Sequence, residues 1–275
     1  MSTLDQSLNP SINNGTTDIG TPADAPESYA RPQYFEIANV ELPIILESLP
    51  KGLRVLDVGC GSGVHGAELK RIHDHRVTGV DISPVSIAKA RTRLEAAFVA
   101  DVTKPEAYPF EPGFDVIVFS DILEHLYDPV AVLSDHVKLL KPGGHVVVSL
   151  PNVAIWNVRL ELLFGRFRYQ DTGTLDRTHI RFFNRRSYFE LLETCGLQVE
   201  RRRITPGILR PFVPLIKRVY GKGGEQQKAE TNSSSIMDSG PYRLYCRMFY
   251  PIERALCALR PNLLAFQFVS LCRKK

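Results

Sequence analysis

Long apolar runs are missing from this sequence. No stretch approaches the roughly 18 uninterrupted apolar residues that a membrane-spanning helix needs, and the N-terminus lacks the basic region and apolar run of a signal peptide. The five cysteines are an odd number without paired spacing, which argues against a disulfide framework or a zinc site. These absences predict a cytoplasmic protein with reduced thiols.

Charge is unevenly distributed along the chain. Residues 1–30 contain no Lys or Arg, and the polar composition of residues 1–28 predicts a disordered tail. Residues 201–222 hold seven Lys and Arg and no acid. This basic segment is either a solvated face or a surface for an anionic membrane or an acidic substrate. With 44% hydrophobic and 23% charged residues, the 275-residue chain has the composition of one globular domain with extensions.

Residues 55–63, with the sequence VLDVGCGSG, organise the rest of the chain. Their apolar start predicts the end of a buried strand, and the three glycines predict a turn that allows a ligand close to the main chain. Residues 64–72 have helix-forming composition. The N-terminus of a helix after such a turn favours an anionic group, because its N–H groups are free and the helix dipole is positive there.

Two classes of ligand compete for this turn. Residues 61–66, GSGVHG, satisfy the dinucleotide pattern G-x-G-x-x-G, which is weak evidence by itself. Asp57 argues against a dinucleotide, since its carboxylate would face a pyrophosphate of like charge. S-adenosylmethionine instead combines a carboxylate with a sulfonium and an ammonium. The pattern Asp57-x-Gly59-x-Gly61-x-Gly63 resembles motif I of the class I S-adenosylmethionine-dependent methyltransferases.

A second strand, residues 76–81, ends in an acid that suits a ribose. Asp81 lies 24 residues after Asp57, close to the ~20-residue offset of a ribose-binding carboxylate. A third strand is predicted over residues 96–102, and the resemblance implies that Asp101 meets the adenine amino group and Val102 lines the ring pocket. The cofactor-binding residues implied in this way are Asp57, Gly59, Cys60, Gly61, Gly63, Asp81, Ile82, Asp101, Val102 and Ser120.

The order of predicted elements indicates an α/β, doubly wound, seven-stranded and mostly parallel sheet, the Rossmann-like methyltransferase fold. A helix is predicted from Ser83-Pro84 to about Leu94, and strand four covers residues 114–121. Residues 140–144 are predicted to form a helix stop and turn, and strand five covers residues 145–150. Strand six is residues 197–204, and residues 264–272 supply an antiparallel seventh strand. We expect a core over 29–204, a helical insertion over 205–263 with a disordered loop near 221–240, and the last strand within 264–275. Tyr34 belongs either to a lid over the cofactor or to the core.

The loop after strand four carries candidate chemistry. Methyl transfer to a hydroxyl needs alignment and a base that removes the proton, and Asp121, Glu124 and His125 lie in this loop. Asp-x-x-Glu-His also resembles the metal-binding cluster of ubiquinone-type O-methyltransferases, with ligands that suit a divalent ion. Direct base catalysis is favoured, so no metal is predicted.

A second polar segment lies within residues 156–183. Its residues 176–183, DRTHIRFF, resemble a segment of a methyltransferase-domain group common among O-methyltransferases and sugar- or polyketide-tailoring enzymes. The resemblance implies that His179 faces the acceptor and that Arg177 or Arg181 holds an anionic part of it. The alternative is that His179 caps a turn and Arg181 pairs with a surface acid.

The leading hypothesis is O-methylation of a small or lipid-linked hydroxylated acceptor. The Asn- or Asp-Pro-Pro-Tyr motif of many amine and amide methyltransferases does not follow strand four. No RNA-binding appendage with paired aromatic and basic residues is recognisable, and no DNA partner is expected. The alternatives are an RNA or protein methyltransferase that uses the basic segment, and a non-catalytic S-adenosylmethionine-binding module. Peripheral membrane contact is a further expectation, and the sequence leaves the oligomeric state open.

Overall fold

The computed structural model describes residues 41–209 and 247–275. Within these ranges, strands and helices alternate from β1 to β6, and a final helical stretch leads into the last strand. The strands are β1 Arg54–Val58, β2 Arg76–Asp81, β3 Ala96–Val99, β4 Phe114–Ser120, β5 Leu140–Pro151, β6 Leu197–Pro206 and β7 Ala265–Lys274. The helices are α1 Glu41–Leu46, α2 Val64–His73, α3 Pro84–Ala90, α4 Pro129–Val137, α5 Trp156–Leu163, α6 Arg185–Thr194, α7 Tyr250–Leu259 and α8 Pro261–Leu264.

The seven strands form one sheet in the order β3-β2-β1-β4-β5-β7-β6. Strands β1 to β5 pair in parallel, and β7 inserts antiparallel between β5 and β6. The chain order reverses between β1 and β4, which is the switch point where α/β sheets bind ligands at the carboxyl ends of their strands. The predicted doubly wound fold with an antiparallel last strand is confirmed.

Side chains of the central strands alternate between two apolar layers, since successive residues of a strand point to opposite faces of the sheet. Leu56 and Phe119 belong to the layer under α4 and α6. Val55 and Val118 belong to the layer under α1, α2 and α3. The central strands are therefore apolar on both faces, as parallel strands covered by helices are.

Local signals set several helix starts. The Ser83 hydroxyl accepts from the Ser86 N–H at the start of α3, where Pro84 is the first helical residue. Asn184 and Ser187 form a reciprocal capping box at the start of α6. These caps fix where each helix leaves the loop that precedes it.

Several predicted boundaries were wrong. Strand β3 ends at Val99, three residues early, and α3 ends at Ala90 rather than near Leu94. Residues 140–144 belong to β5 instead of a helix stop and turn. The pairing of β5 with β4 is irregular at this point. Phe114 pairs with Leu140 while Val116 pairs with His145, and Gly143 has a φ of 76°.

The described part of the predicted helical insertion over residues 205–263 contains α7. In the described part, α7 begins at Tyr250, and its buried residues are Glu253 and Cys257. The apolar side chains of Ile252, Leu256 and Leu259 are exposed instead. The predicted tail, Tyr34, the loop near 221–240 and most of the basic segment lie outside the described residues. No helix among those described has the length and apolarity required to span a membrane.

Candidate active site

The glycine turn joins β1 to α2 at the carboxyl edge of the sheet. Gly59, Gly61 and Gly63 have φ values of 70°, 53° and 80°, in the left-handed region that favours glycine. A Cβ at Gly59 would lie 2.6 Å from Cγ1 of Ile122, in the loop after β4. The turn and this loop therefore touch at a point where a side chain has no room.

Asp57 lies in β1 immediately before the turn. Its side chain is 1% exposed, and Oδ2 has no hydrogen-bond partner among the described residues. Burial, with a smaller contribution from Asp81, raises the pKa of the Asp57 carboxyl to about 7. A buried carboxylate without a partner is costly, and a cationic ligand beside it would offset this cost.

Asp81, at the end of β2, is fixed by backbone donors. The Gly61 N–H donates to Oδ2 at 2.9 Å, and the Ser83 N–H donates to Oδ1 at 2.8 Å. Burial raises the pKa of Asp81 against the lowering effect of hydrogen bonds from Ser83, Gly61 and Ile82. The carboxylate thus ties the ends of β1 and β2 together and retains lone pairs for hydroxyl donors.

Asp101 and Val102 follow β3 at the same edge. Oδ1 of Asp101 accepts from the N–H and the hydroxyl of Thr103, at 2.9 and 2.7 Å. Val102 is 8% exposed and belongs to the apolar layer under α4 and α6. The predicted contacts of these two residues with adenine remain predictions.

Asp121 directly follows β4 and has a φ of 55°. Its Oδ1 accepts from the Ser149 hydroxyl at 3.1 Å, and its Oδ2 accepts from Nε2 of Gln267 at 2.6 Å. The carboxylate therefore joins β4 to β5 and β7. Next to it, the buried Ser120 hydroxyl has no hydrogen-bond partner among the described residues.

Glu124, His125 and His179 converge on one point, although His179 comes from a distant loop. One potential ligand atom from each residue lies within 4.8 Å of the other two. Nε2 of His179 is 3.9 Å from Oε1 of Glu124, and the two imidazole rings meet edge to face with centroids 4.7 Å apart. The Oε2 atom of Glu124 is buried without a partner in the described chain. We call these three residues the Glu-His-His cluster.

Backbone carbonyls fix the tautomers of both histidines. Nδ1 of His125 lies 3.2 Å from the Thr178 carbonyl, and Nδ1 of His179 lies 3.2 Å from the Thr174 carbonyl. Since a carbonyl only accepts, each Nδ1 carries the proton and each Nε2 keeps its lone pair. Burial is the main cause that lowers both pKa values, that of His125 to about 4. Both rings are therefore neutral at pH 7.

The pKa of Glu124 is shifted in the opposite direction to the pKa values of the two histidines. Burial, followed by the charge of Asp121, raises the pKa of its carboxyl well above the ordinary value. Glu124 also anchors the second polar segment, since its carbonyl accepts from the N–H groups of Ile180 and Arg181, each at 3.0 Å. These bonds bring His179 to the loop after β4.

The Glu-His-His cluster offers two imidazole nitrogens and a carboxylate, ligands that zinc and related ions take. Two ligands at ~2.1 Å from one ion lie at most about 4.2 Å apart. The separation of 3.9 Å between Nε2 of His179 and Oε1 of Glu124 is within this limit. Asp121, which the sequence suggested as a ligand with Glu124 and His125, is bonded to Ser149 and Gln267 instead.

The arginines of the second polar segment contact the chain itself. Arg177 forms an ion pair of 2.7 Å with Asp171. Arg181 donates to the Tyr127 carbonyl at 2.6 Å and lies over the Tyr127 ring. A role for either guanidinium in holding the acceptor stays a prediction.

Three residues that the sequence analysis did not single out support the site. Oδ1 of Asp176, which is 3% exposed, accepts from the N–H and the hydroxyl of Thr178 and so shapes the turn before His179. Gln267 and Ser149 hold Asp121. The pattern Asp176-x-Thr178 is a local turn signal, whereas the link from Gln267 to Asp121 crosses 146 positions and has no sequence signature.

The fold and this edge of the sheet define a class I S-adenosylmethionine-dependent methyltransferase. The methyltransferase-domain family matches residues 27–201, so the chain belongs to that family. A probable S-adenosylmethionine-dependent methyltransferase from Mycolicibacterium smegmatis is 34% identical over 149 residues, 54% of this chain and 53% of the relative. A ubiquinone biosynthesis O-methyltransferase from Proteus mirabilis is 34% identical over 106 residues, 37% of this chain and 43% of the relative. The matches thus span about half the length of these curated relatives.

Solved structures show the same fold. A SAM-dependent methyltransferase from Archaeoglobus fulgidus aligns with a TM-score of 0.53 over 87% of this chain and 96% of its own, at 18% identity. The [4+2]-cyclase SpnF aligns with a TM-score of 0.51 over 85% and 80%, also at 18% identity. At this identity the likeness concerns the fold.

The cofactor is S-adenosylmethionine, and the residues present fit it. The unpartnered Oδ2 of Asp57 suits a positive charge, a Cβ at Gly61 would meet no atom within 4 Å, and Asp81 is fixed at the end of β2. When bound, S-adenosylmethionine supplies a methyl group activated by a sulfonium. The domain that includes residues 27–201 is a methyltransferase domain.

Proposed function

We propose that this enzyme O-methylates a small or lipid-linked hydroxylated acceptor, with a histidine of the Glu-His-His cluster as the base. The observation that carries the proposal is the pair of neutral imidazoles, each with Nδ1 at a backbone carbonyl, that converge with Glu124 in the loop after β4. The ubiquinone biosynthesis O-methyltransferase relatives support oxygen as the acceptor atom. We also propose that the cofactor-binding residues predicted from the sequence contact S-adenosylmethionine. We propose further that the chain divides into a core over 29–204, an insertion over 205–263 and the last strand within 264–275.

The chain has three tasks in this reaction. It binds the acceptor next to the carboxyl ends of β1 and β4, and it excludes water with the closely packed turn and loop. It also takes the hydroxyl proton on Nε2 of His125 or His179 while the oxygen attacks. The cation that forms on His179 would lie 3.9 Å from the Glu124 carboxyl, which would then favour its own charged form.

A screen with methyl-labelled S-adenosylmethionine tests the choice of acceptor. Phenol, sugar and isoprenoid hydroxyl compounds are each paired with the matching amine and with a methyl-capped ether. We expect label in the hydroxyl compounds, little in the amines and none in the ethers. Label confined to amines, to RNA or to protein would contradict O-methylation, and tight cofactor binding without any turnover would favour a binding module.

A chelator experiment separates the base from a metal. Direct base catalysis predicts that activity survives EDTA and does not increase with magnesium or zinc. Loss of activity in EDTA with recovery on addition of a divalent ion would replace the base by a metal site on the same cluster.

A further inference from the structure

A groove lined by four arginines lies beside the edge strand of the sheet. Arg202 and Arg203 come from β6, Arg185 from α6 and Arg254 from α7, and Phe189 and Phe268 contribute apolar lining. The cavity has a volume of about 200 Å³. We call it the arginine groove. It brings together residues from three parts of the chain, so its charge is not a run along one helix face.

Two of the guanidiniums share one aromatic ring. Arg202 lies 4.6 Å and Arg185 lies 5.4 Å from the centroid of Phe189. The two cations are therefore at most about 10 Å apart, which is about one Debye length at 0.1 M ionic strength. Each guanidinium makes a cation–π contact with this ring, and both arginines are exposed to an incoming ligand.

The groove contains little negative charge to balance these cations. Arg203 lies 3.5 Å from Oε2 of the buried Glu41. Arg185, Arg202 and Arg254 form no ion pair with any residue in 41–209 or 247–275. An anion with two or more charges would neutralise this excess, and guanidinium forks match the oxygen geometry of phosphate.

One lining residue of the groove is adjacent in sequence to a residue that contacts the loop after β4. Phe268 pairs with Ile204 of β6 and with Leu150 near the carboxyl end of β5. The adjacent residue, Gln267, donates to Asp121. Two consecutive residues of β7 thus connect the groove to the loop after β4.

We propose that the arginine groove binds a phosphate or diphosphate group. The group belongs either to a soluble phosphate ester or to a lipid headgroup, and both present the same oxygens to the four arginines. The site is a binding site and takes no part in bond making. Its test measures binding alone, so it can fail while the proposed O-methylation holds, and the reverse.

Calorimetric titration of inorganic pyrophosphate into the full chain tests the proposal. We expect binding that weakens with added salt and at least a tenfold loss of affinity in the double variant Arg185→Gln/Arg202→Gln. Arg186→Gln and Arg201→Gln are the matched controls, because each removes an exposed arginine next to a groove residue without lining the groove. Both controls should bind pyrophosphate as the unchanged protein does.

One further variant and a folding control keep the test decisive. Arg202→Lys retains the charge but loses the fork, so we expect an intermediate loss of affinity, and S-adenosylmethionine affinity should remain unchanged as evidence of intact folding. Equal pyrophosphate binding in the unchanged protein and the double variant would overturn the proposal. An equal loss in the Arg201→Gln control would also overturn it, since binding would then follow net charge alone.

Vesicle co-sedimentation identifies the source of the phosphate. If the groove takes a headgroup, the unchanged protein should sediment with vesicles of neutral lipid and phosphatidic acid. The double variant should then stay in the supernatant. If the groove takes a soluble ester, sedimentation is the same for both proteins while pyrophosphate binding differs. Either pattern supports a phosphate site.

Discussion

At the scale of single residues, the balance between charge and burial is clearest at Asp57. Its carboxyl is fully buried, lies near the second acid Asp81 and has a pKa of about 7. A cationic ligand favours the charged form and lowers this pKa on binding. S-adenosylmethionine affinity should therefore rise as the pH increases from 6 to 8, with proton release near pH 7.

Calorimetry in buffers of different ionisation enthalpy measures that proton directly. Asp57→Asn should weaken binding and remove its pH dependence. Asp115→Asn is a control, since Asp115 lies at the start of β4 and pairs with Lys141, away from the glycine turn. Affinity that is equal at pH 6 and pH 8 in the unchanged protein would refute this role for Asp57.

Asp81 should contribute to cofactor binding through hydrogen bonds. Asp81→Ala is expected to weaken S-adenosylmethionine binding by about 1–3 kcal/mol, the usual scale for a hydrogen bond to a charged group. Asp81→Asn keeps one acceptor oxygen for the N–H of Gly61 or Ser83 and should lose less. If calorimetry shows full affinity in Asp81→Ala, the carboxylate only supports the turn.

At the scale of elements, the contact between the glycine turn and the loop after β4 can be tested by substitution. Gly59 and Gly52 have nearly the same φ, 70° and 73°. A Cβ at Gly59 would clash with Ile122, whereas one at Gly52 meets nothing within 4 Å. Gly59→Ala should therefore lower Tm more than Gly52→Ala and should also reduce turnover, because Ile122 belongs to the catalytic loop.

The matched pair separates backbone strain from crowding, since both glycines have a similar positive φ. Equal Tm losses would mean that the contact with Ile122 has no energetic weight. The double variant Gly59→Ala/Ile122→Ala should recover part of the lost turnover by removing the clashing atoms.

The sheet could be predicted because its elements carry local signals. Strand β4 is an apolar run, α3 has its Ser83 cap, and the Asp57-to-Gly63 pattern identifies the first turn. Boundaries were less predictable where a local signal met a tertiary constraint. Gly143 predicts a turn, yet pairing with β4 and β7 keeps the surrounding residues in β5 as an irregular strand.

The site could be predicted in part. His125 and Glu124 are close in sequence, but their contact with His179 depends on how the segment after α5 folds back onto the Glu124 carbonyl. No periodicity reports such a contact. The arginine groove was missed for the same reason, because Arg202 and Arg203 belong to a basic run while Arg185 and Arg254 come from separate helices.

At the scale of the whole molecule, pH acts on folding through opposing groups. Burial lowers the pKa of His136 from 6.5 to about 4, and its ring is bonded to Tyr108 and the Val132 carbonyl. Between pH 4 and 6.5 the unfolded state binds more protons at this residue, so His136 stabilises the fold at neutral pH and this stability is lost as pH falls. Asp57, whose folded pKa is raised, has the opposite effect between pH 3.8 and 7.

Urea unfolding at several pH values separates the two effects. The free energy of unfolding lost in His136→Gln should be larger at pH 7.5 than at pH 4.5, by up to about 3 kcal/mol. In Asp57→Asn the pH trend relative to the unchanged protein should have the opposite sign. A deficit in His136→Gln that does not change with pH would show that this histidine acts through packing alone.

The central claim is that a histidine of the Glu-His-His cluster removes the acceptor proton. The decisive measurement is turnover with the hydroxyl acceptor found in the screen, in His125→Gln, His179→Gln and the control His145→Gln. His145 bonds to Glu200 and Arg273 and lies outside the cluster. Loss of the base should lower kcat by roughly a hundredfold, with S-adenosylmethionine affinity nearly unchanged and the control fully active. Full activity in both cluster variants would contradict histidine base catalysis.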